Sequence, residues 1–260
     1  MAYETILFEK EGPVAIITLN RPQRLNALSR LLLTELGQAV DEIAADKDAR
    51  VVVVTGGAKC FCAGADISEA AHISIPREAE AFHNLIKVNF CKLEDLDRPV
   101  IAAISGVAMG GGLELALACD LRVASETARL GVPEIKIGAI PGAGGTQRLP
   151  RAIGVTKAKE MIYVGDPIDA AEAYRLGLVN KVAPVDTFFQ EAKAMAAVIA
   201  SRPRLALKAA KASINNGIEL DLRRALDFEI QNGVFLYSTR DREEGMKAFL
   251  EKRAPVFTGE

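Results

Sequence analysis

The sequence predicts an α/β fold with a layered, parallel core and an all-helical C-terminal region. Residues 51–54 and 100–104 are wholly apolar and rich in β-branched side chains, which is the character of strands covered on both faces. A helical stripe of apolar residues lies between them, and strands that alternate with helices are typical of a layered parallel sheet. From about residue 188 helix formers dominate, which predicts helices over 192–199, 204–214, 221–236 and 242–253.

Local signals predict the elements that precede and connect the core strands. Residues 5–9 and 14–19 are short β-rich runs on either side of a Gly-Pro turn, so they predict a hairpin. Ser29 occupies an N-cap position before an amphipathic helix, which the charged run 46–48 ends. Apolar residues at helical spacing predict a further helix within 76–96.

Composition and charge exclude several classes of protein. The 260 residues carry 32 Lys+Arg and 34 Asp+Glu for a net charge of −2, without a long basic run, so no nucleic-acid partner is expected. The longest uncharged stretch, 99–113, is too short to span a membrane. The 4 cysteines are too few for a disulfide framework and fit a reducing compartment. Because the N-terminus has no basic region before an apolar core, we expect a cytoplasmic protein without a secretory signal, the alternative being a processed organellar chain.

Two glycine-containing segments dominate the functional interpretation. Residues 61–67 (FCAGADI) and 109–114 (MGGGLE) can each aim a backbone N–H at a developing negative charge. Two amides that converge on one carbonyl oxygen form an oxyanion hole, in which the loss of one donor typically costs ~10²–10³-fold in rate. Glu114 and Glu134 stand among apolar neighbours, where a carboxylate is paired, hydrated or functional. The combination predicts an enzyme that acts on an activated acyl group.

The sequence matches the motifs of nucleotide-binding proteins and serine hydrolases less well. A plain tight turn is the alternative for 110–112, but Leu115 excludes a dinucleotide-binding fingerprint there. Residues 141–146 (PGAGGT) lack the Lys-Ser/Thr pair of a phosphate-binding loop, and Ser105 lacks the first glycine of a nucleophile elbow. The 2 histidines, His72 and His83, are interpreted as surface or packing residues.

Several motifs, in order along essentially the whole chain, resemble the enoyl-CoA hydratase (crotonase) family. They are residues 20–22 (NRP), 25–28 (LNAL), 61–67 (FCAGADI), 110–116 (GGGLELA), 133–135 (PEI), 141–149 (PGAGGTQRL) and 244–253 (EGMKAFLEKR). The resemblance implies a crotonase-like spiral of ββα units that holds the active site in residues 1–195. It also implies a helical trimerisation region in residues 196–260, and therefore a homotrimer or a dimer of trimers.

The resemblance also implies roles for the singled-out residues. The amides of Ala65 and Gly111 would grip the thioester oxygen of an acyl-CoA substrate while an enolate forms. Glu134 would deliver or remove the proton at the α-carbon, and Glu114 would hold and activate the water that adds at the β-carbon. Isomerases of the family often keep one acidic group near the reacting carbons, so the presence of two favours hydration. No metal is expected, and no cofactor beyond the CoA that the substrate carries.

Contacts to the substrate and its CoA are implied at two places in the chain. One set comprises Arg24, Leu25, Ala63, Asp66, Ile67, Ser68 and Gly142, and the other comprises Phe249 and Lys252, which would reach the site from a neighbouring subunit. Family members often carry a lysine near position 23 and another near position 68. This chain has neither, and Arg24 is the candidate replacement.

Alternatives to short-chain hydration stay open at this point. On the same scaffold they are an enoyl-CoA isomerase, a hydratase of branched, cyclic or dienoyl-CoA, and a carbon–carbon lyase. From a different class come an RNA-binding family member with a residual site and an acyl-CoA-binding protein without catalysis. The acyl group itself is not readable from the residues, although we expect segment 69–87 to contribute pocket walls.

Overall fold

The computed structural model describes residues 3–260 and arranges them in two β-sheets surrounded by helices. The strands are β1 (Ile6–Glu11), β2 (Val14–Leu19), β3 (Val51–Thr55), β4 (Val100–Ile104), β5 (Val107–Met109), β6 (Leu121–Ser125), β7 (Arg129–Gly131), β8 (Ile168–Asp169) and β9 (Lys181–Ala183). The helices are α1 (Arg30–Ala45), α2 (Ile67–Ala70), α3 (Pro76–Glu94), α4 (Gly111–Leu117), α5 (Gly145–Ile153), α6 (Val155–Val164), α7 (Ala170–Arg175), α8 (Phe188–Ala200), α9 (Arg204–Gly217), α10 (Leu222–Leu236) and α11 (Arg240–Glu251).

The large sheet has six strands in the order β1-β2-β3-β4-β6-β9. β1 and β2 form the predicted antiparallel hairpin, and the other neighbouring strands pair in parallel. β3 and β4 are buried along their whole length, as their apolar sequences predicted. Their alternate side chains face two different layers: Val52 packs in the main core, whereas Val53 packs in a second core under α8.

A unit of two strands and a helix recurs around one edge of this sheet. β4 leads to β5 and α4, while β6 leads to β7, a 3₁₀ turn at Pro133–Ile137 and α5. The second strand of each unit joins the small sheet, whose order is β5-β7-β8. Because β5 and β7 are parallel neighbours, the segments that follow them start side by side. The motif residues 110–116 and 133–135 are brought together in this way.

The helical prediction is confirmed, with differences only at element ends. Ser29 caps α1, since its hydroxyl accepts a hydrogen bond from the N–H of Leu32 (3.2 Å). Four helices, α8 to α11, occupy residues 188–251, where helices were expected. α8 covers the sheet and spans residue 195, whereas α10 has no buried residue. The predicted division of 1–195 from 196–260 stays a prediction, and residues 1 and 2 of it lie outside the described range.

Candidate active site

Two backbone amides with no partner lie next to each other where the two glycine-containing segments meet. Segment 61–66 is fixed on one side by the Leu28–Ala65 bridge and on the other by the Cys62–Ala108 bridge to β5. A Cβ placed on Gly111 would lie 3.5 Å from the nitrogen of Ala65, so the two amides are neighbours. Within residues 3–260 neither of these two N–H groups has an acceptor, and both residues line the same cavity. This is the arrangement that an oxyanion hole requires.

Gly110 shows why glycine precedes the second amide. Its φ of 52° lies in the region that L side chains rarely adopt, and it turns the chain from β5 into α4. A Cβ at Gly110 would also lie 2.8 Å from Oε1 of Glu134. The missing side chain therefore allows both the turn and the close approach of the carboxylate.

Glu114 is a buried carboxylate that the protein holds by one oxygen. It lies on the first turn of α4 and is 2% exposed. Its Oε1 accepts hydrogen bonds from the N–H of Ala143 (2.8 Å) and the N–H of Gly145 (2.7 Å), which begins α5. Burial raises the pKa of Glu114, while these two donors and the charge of Arg148 oppose the rise. Oε2 accepts no hydrogen bond from residues 3–260.

Glu134 occupies a different environment in the same cavity. It lies in the 3₁₀ turn Pro133–Ile137, and its Oε2 is buried without a hydrogen-bond partner among residues 3–260. Burial raises the pKa of Glu134 to about 7, and the neighbouring charge of Glu114 adds to the rise. A carboxyl group with this pKa can be either a proton donor or a proton acceptor near neutral pH.

The cavity in front of these groups has a volume of about 530 Å³ and mainly apolar walls. Segment 69–87 contributes to it, as expected, through Ala70, Ile73, Ala79, Phe82, His83 and Ile86. Ile137 and Ile140, to which the sequence analysis gave no role, also line it. His83 is a pocket residue as well: a Cβ on Gly142 would lie 2.5 Å from the imidazole Cε1. The apolar walls suit a hydrocarbon chain and the polar end suits its thioester.

The residues predicted to contact CoA fall into several groups. Ala63, Ile67 and Gly142 line the cavity. Leu25 is exposed beside it and accepts a hydrogen bond from the N–H of Ala63 (3.0 Å), whereas Arg24 is exposed and does not line the cavity.

Asp66 and Ser68 are occupied by contacts within the chain. Asp66 forms an ion pair with Arg21 (2.9 Å) and accepts hydrogen bonds from both the backbone and the hydroxyl of Ser68 (3.1 and 2.5 Å). These contacts hold the start of α2, next to Ala65. A role of the two residues in binding CoA stays a prediction.

Phe249 and Lys252 lie at the end of the chain, outside the cavity. Phe249 is 81% exposed on α11, and neither residue lines the cavity within its own chain. Their predicted contact with CoA therefore depends on a neighbouring subunit and stays a prediction.

Comparison with known proteins decides the family. The model of the enoyl-CoA hydratase/isomerase family matches residues 9–260. The chain belongs to this family. It is 43% identical over 258 residues to crotonyl-CoA hydratase of Syntrophomonas wolfei, with 99% of each chain covered. It is 44% identical over 254 residues to short-chain-enoyl-CoA hydratase of Clostridium acetobutylicum, with 97% of each covered.

A solved enoyl-CoA hydratase shares the fold. The crystal structure of enoyl-CoA hydratase from Bacillus anthracis superimposes with a TM-score of 0.95 at 45% identity, covering 99% of this chain and 100% of that one. The predicted crotonase-like fold, the predicted family and the assignment as an enoyl-CoA hydratase, a lyase, are confirmed. Among residues 3–260, no helix combines the length and apolar character that crossing a membrane requires.

Proposed function

We propose that this enzyme adds water across the 2,3 double bond of an enoyl-CoA thioester to give 3-hydroxyacyl-CoA, using the two free amides and both glutamates. One observation carries the proposal: the unpaired N–H groups of Ala65 and Gly111 and two differently held carboxylates line one cavity. No metal and no further cofactor enters the scheme.

The geometry supports a division of labour between the two glutamates. We place the thioester oxygen between the two amides. Negative charge develops on this oxygen as water attacks the β-carbon, and the two N–H groups stabilise the resulting enolate. The free Oε2 of Glu114 accepts a hydrogen bond and then a proton from the attacking water, whose oxygen bonds to the β-carbon. Glu134, protonated below a pKa of about 7, delivers its proton to the α-carbon. Proton exchange with solvent then restores both carboxyl groups.

The proposed substrate is a short, unbranched enoyl-CoA. The cavity walls are apolar and carry no charge apart from the two glutamates and Lys136, so they offer little to a charged acyl chain. The names of the two relatives, crotonyl-CoA hydratase and short-chain-enoyl-CoA hydratase, support the same substrate class.

A spectroscopic assay with a product analysis tests the proposal. Purified protein is incubated with enoyl-CoA thioesters of increasing chain length and with branched and dienoyl analogues. We expect loss of the conjugated chromophore and formation of 3-hydroxyacyl-CoA, fastest with short chains, as identified by mass spectrometry. A product that is an isomer of the substrate, without the mass of water, would instead identify an isomerase.

We further propose a homotrimer, alone or paired into a hexamer, assembled through the C-terminal helices. Apolar side chains on α9, α10 and the turn between them are exposed in the single chain: Ile214, Ile218, Leu222, Leu226, Ile230, Val234 and Phe235. An exposed apolar surface of this kind is typical of an interface. Light scattering coupled to size-exclusion chromatography measures the mass, and a monomer at micromolar concentration contradicts this assembly.

The proposed location is the cytoplasm. Cys60, Cys62, Cys91 and Cys119 are all free thiols, which fits a reducing compartment. Fractionation of the source cells tests this, and accumulation in an oxidising compartment contradicts it.

A further inference from the structure

An ion pair lies behind the turn that holds Glu114, on the side away from the substrate cavity. Arg148 of α5 binds Glu94, the last residue of α3, through two parallel hydrogen bonds: Nε to Oε1 (3.1 Å) and Nη2 to Oε2 (2.6 Å). The side chain of Arg148 is 17% exposed and that of Glu94 is 35% exposed. Neither residue lines the substrate cavity; both line a separate cavity of about 500 Å³ between the core and α9. Neither residue therefore faces the space in which we place the acyl group.

The same guanidinium also holds the turn at residues 143–145. Nη1 of Arg148 donates to the carbonyl of Ala143 (3.0 Å), and the backbone N–H of Arg148 donates to the carbonyl of Gly144 (2.7 Å). Gly144 has a φ of 108°, and a Cβ there would lie 2.0 Å from Nη1. The guanidinium thus packs directly against the turn, in space that only glycine leaves open.

This turn delivers both hydrogen bonds that fix Glu114. The N–H groups of Ala143 and Gly145 converge on Oε1, which leaves Oε2 as the oxygen that can hold the water. A continuous set of contacts therefore leads from α3 through Arg148 and the turn to one oxygen of Glu114. Small displacements at a reacting group are costly, since misplacement by about 1 Å can cost ~10²-fold in rate.

We propose that the Glu94–Arg148 ion pair is a positioning device: it keeps the turn in place, so that one oxygen of Glu114 is held there and the other faces the substrate water. The proposal rests on the proposed function and deepens it. Arg148 suits the task better than a lysine does, because its planar fork can bind Glu94 and the carbonyl of Ala143 at the same time. Lysine would supply the charge without that geometry.

Other charged and titratable groups surround the pair without contacting the turn. Cys91 of α3 lies 3.9 Å from Nη2 of Arg148, and the second cavity is also lined by Asp120, Arg122, Arg151 and Lys211. Asp120 is paired with Lys211 (2.8 Å), and Arg151 with Glu219 (3.1 Å). Arg151 therefore offers a matched control: it lies on α5 like Arg148 and forms an ion pair, but it makes no hydrogen bond to residues 143–145.

The experiment compares four variants of the enzyme with its best enoyl-CoA substrate: Arg148→Met, Arg148→Lys, Glu94→Gln and the control Arg151→Met. For Arg148→Met we expect kcat to fall ~10–100-fold, with KM and the Kd for the saturated acyl-CoA changed less than ~3-fold, because only the placement of Glu114 is disturbed. Arg148→Lys recovers part of the loss, Glu94→Gln loses less than Arg148→Met, and Arg151→Met keeps the activity of the wild type.

The pH profile separates positioning from a general loss of structure. Arg148 lowers the pKa of Glu114, so its removal raises that pKa. The fall of kcat at acid pH, where Glu114 becomes protonated, should then begin at a higher pH in Arg148→Met and move less in Arg148→Lys. A variant that is merely less stable shows a lower melting temperature with an unchanged profile.

The outcomes that overturn the proposal are distinct from failure of the proposed function. A kcat within about twofold of wild type in Arg148→Met, or an equal loss in Arg151→Met, overturns the positioning role. If Arg148→Met does not fold, unchanged kcat in Glu94→Gln overturns it. Failure of the wild type to hydrate any thioester instead removes the proposed function. In that case a crystal structure of Arg148→Lys tests the positioning role without an activity assay. If both hydrogen bonds to Oε1 of Glu114 are unchanged in this variant, the positioning role is overturned.

Discussion

The turn that holds Glu114 and the turn that carries Glu134 place the same side chain in opposite settings within one cavity. Glu114 is almost wholly buried, and two backbone N–H groups bind one of its oxygens. Glu134 has a buried oxygen with no partner among residues 3–260, and its pKa is raised to about 7. Two N–H groups of a distant turn thus bind one carboxyl group, whereas burial dominates at the other and is opposed only by the backbone N–H of Glu134 itself.

This difference supports the separate roles that we propose for two chemically identical groups. The two N–H donors and the charge of Arg148 favour the ionised form of Glu114, which accepts a proton in the proposed mechanism, whereas the raised pKa of Glu134 favours the form that holds one. The two groups also interact, because the charge of Glu114 raises the pKa of Glu134. A substitution of Glu114 is therefore expected to change the pKa of Glu134 as well.

Replacement of either carboxyl group should have the largest effect. We expect Glu134→Gln and Glu114→Gln each to lower kcat by ~10²–10⁴-fold, because each removes a general acid or base, while thioester binding survives. The two variants differ in a second measurement. Exchange of the α-protons of a saturated acyl-CoA with D₂O, followed by mass spectrometry, should be lost in Glu134→Gln and kept in Glu114→Gln.

The exposed Glu126, whose side chain forms no hydrogen bond within residues 3–260, supplies the control for these variants. Glu126→Gln should retain the rate of the wild type. Full hydration activity in Glu134→Gln would contradict the role assigned to that residue, and equal loss of exchange in both variants would contradict the division of roles.

Two glycine-to-alanine substitutions crowd one glutamate each and should have the next largest effect. A methyl group at Gly110 would lie 2.8 Å from Oε1 of Glu134, at a φ of 52°. One at Gly145 would lie 2.7 Å from Cβ of Pro141 and 2.9 Å from Oε1 of Glu114. We expect kcat to fall ~10–100-fold in Gly110→Ala and ~10-fold in Gly145→Ala. Each variant is the other's control, since α-proton exchange should suffer only in Gly110→Ala. Unchanged kinetics in both would show that the carboxyl groups tolerate displacement.

The pH dependence should have the same form in the two directions of the reaction. In the proposed mechanism hydration needs protonated Glu134 and ionised Glu114, so its kcat should decline as the pH rises above about 7, by ~10-fold per pH unit. Dehydration of the 3-hydroxyacyl-CoA starts with the same single proton on Glu114 and should also decline above that pH. In Glu114→Gln the midpoint of hydration should move to lower pH, because the neighbouring charge is gone. A hydration rate that increases as the pH rises above about 7 would contradict the assignment of Glu134 as the acid.

Thermal stability should show the smallest difference between the two glutamates. Glu114→Gln replaces a charged acceptor of two N–H groups by a neutral one, so we expect the melting temperature to fall by ~2–4 °C. Glu134→Gln replaces a carboxyl group whose buried Oε2 has no hydrogen-bond partner among residues 3–260, and it should not lower the melting temperature at pH 8. Both are measured by calorimetry at one protein concentration, because assembly shifts the transition. A larger loss in Glu134→Gln would show that Glu134 has partners in the folded enzyme.

The long elements of the fold were predictable because their signals are local. Ser29 and the apolar stripe after it predicted α1, and four consecutive valines predicted β3. The strands β5, β7 and β8 have only two or three residues, too few for any periodicity, and no sequence signal predicted them. These short strands nevertheless place the two glutamates side by side.

The site was predictable in its components and less so in its connections. The resemblance to the family named Ala65, Gly111, Glu114 and Glu134, and the structure brings all four to one cavity, while their roles stay a proposal. The direction and cause of each pKa shift could not be predicted, since they depend on burial and on which N–H groups reach which oxygen. The positioning role that we propose for Arg148 could not be predicted either, although Arg148 lies in a motif, because its partner Glu94 is 54 positions away in the sequence.

The sequence by itself determined the layered α/β class, the family and the chemical groups at the site, because these depend on residue type, spacing and local propensity. The tertiary structure alone decided that Oε1 of Glu114 is bound by a distant turn, that Oε2 of Glu134 has no partner among residues 3–260, and that Phe249 and Lys252 lie outside the cavity of their own chain. The physical reason is that burial and hydrogen bonding, which set the protonation of a carboxyl group, arise from contacts between residues far apart in the chain.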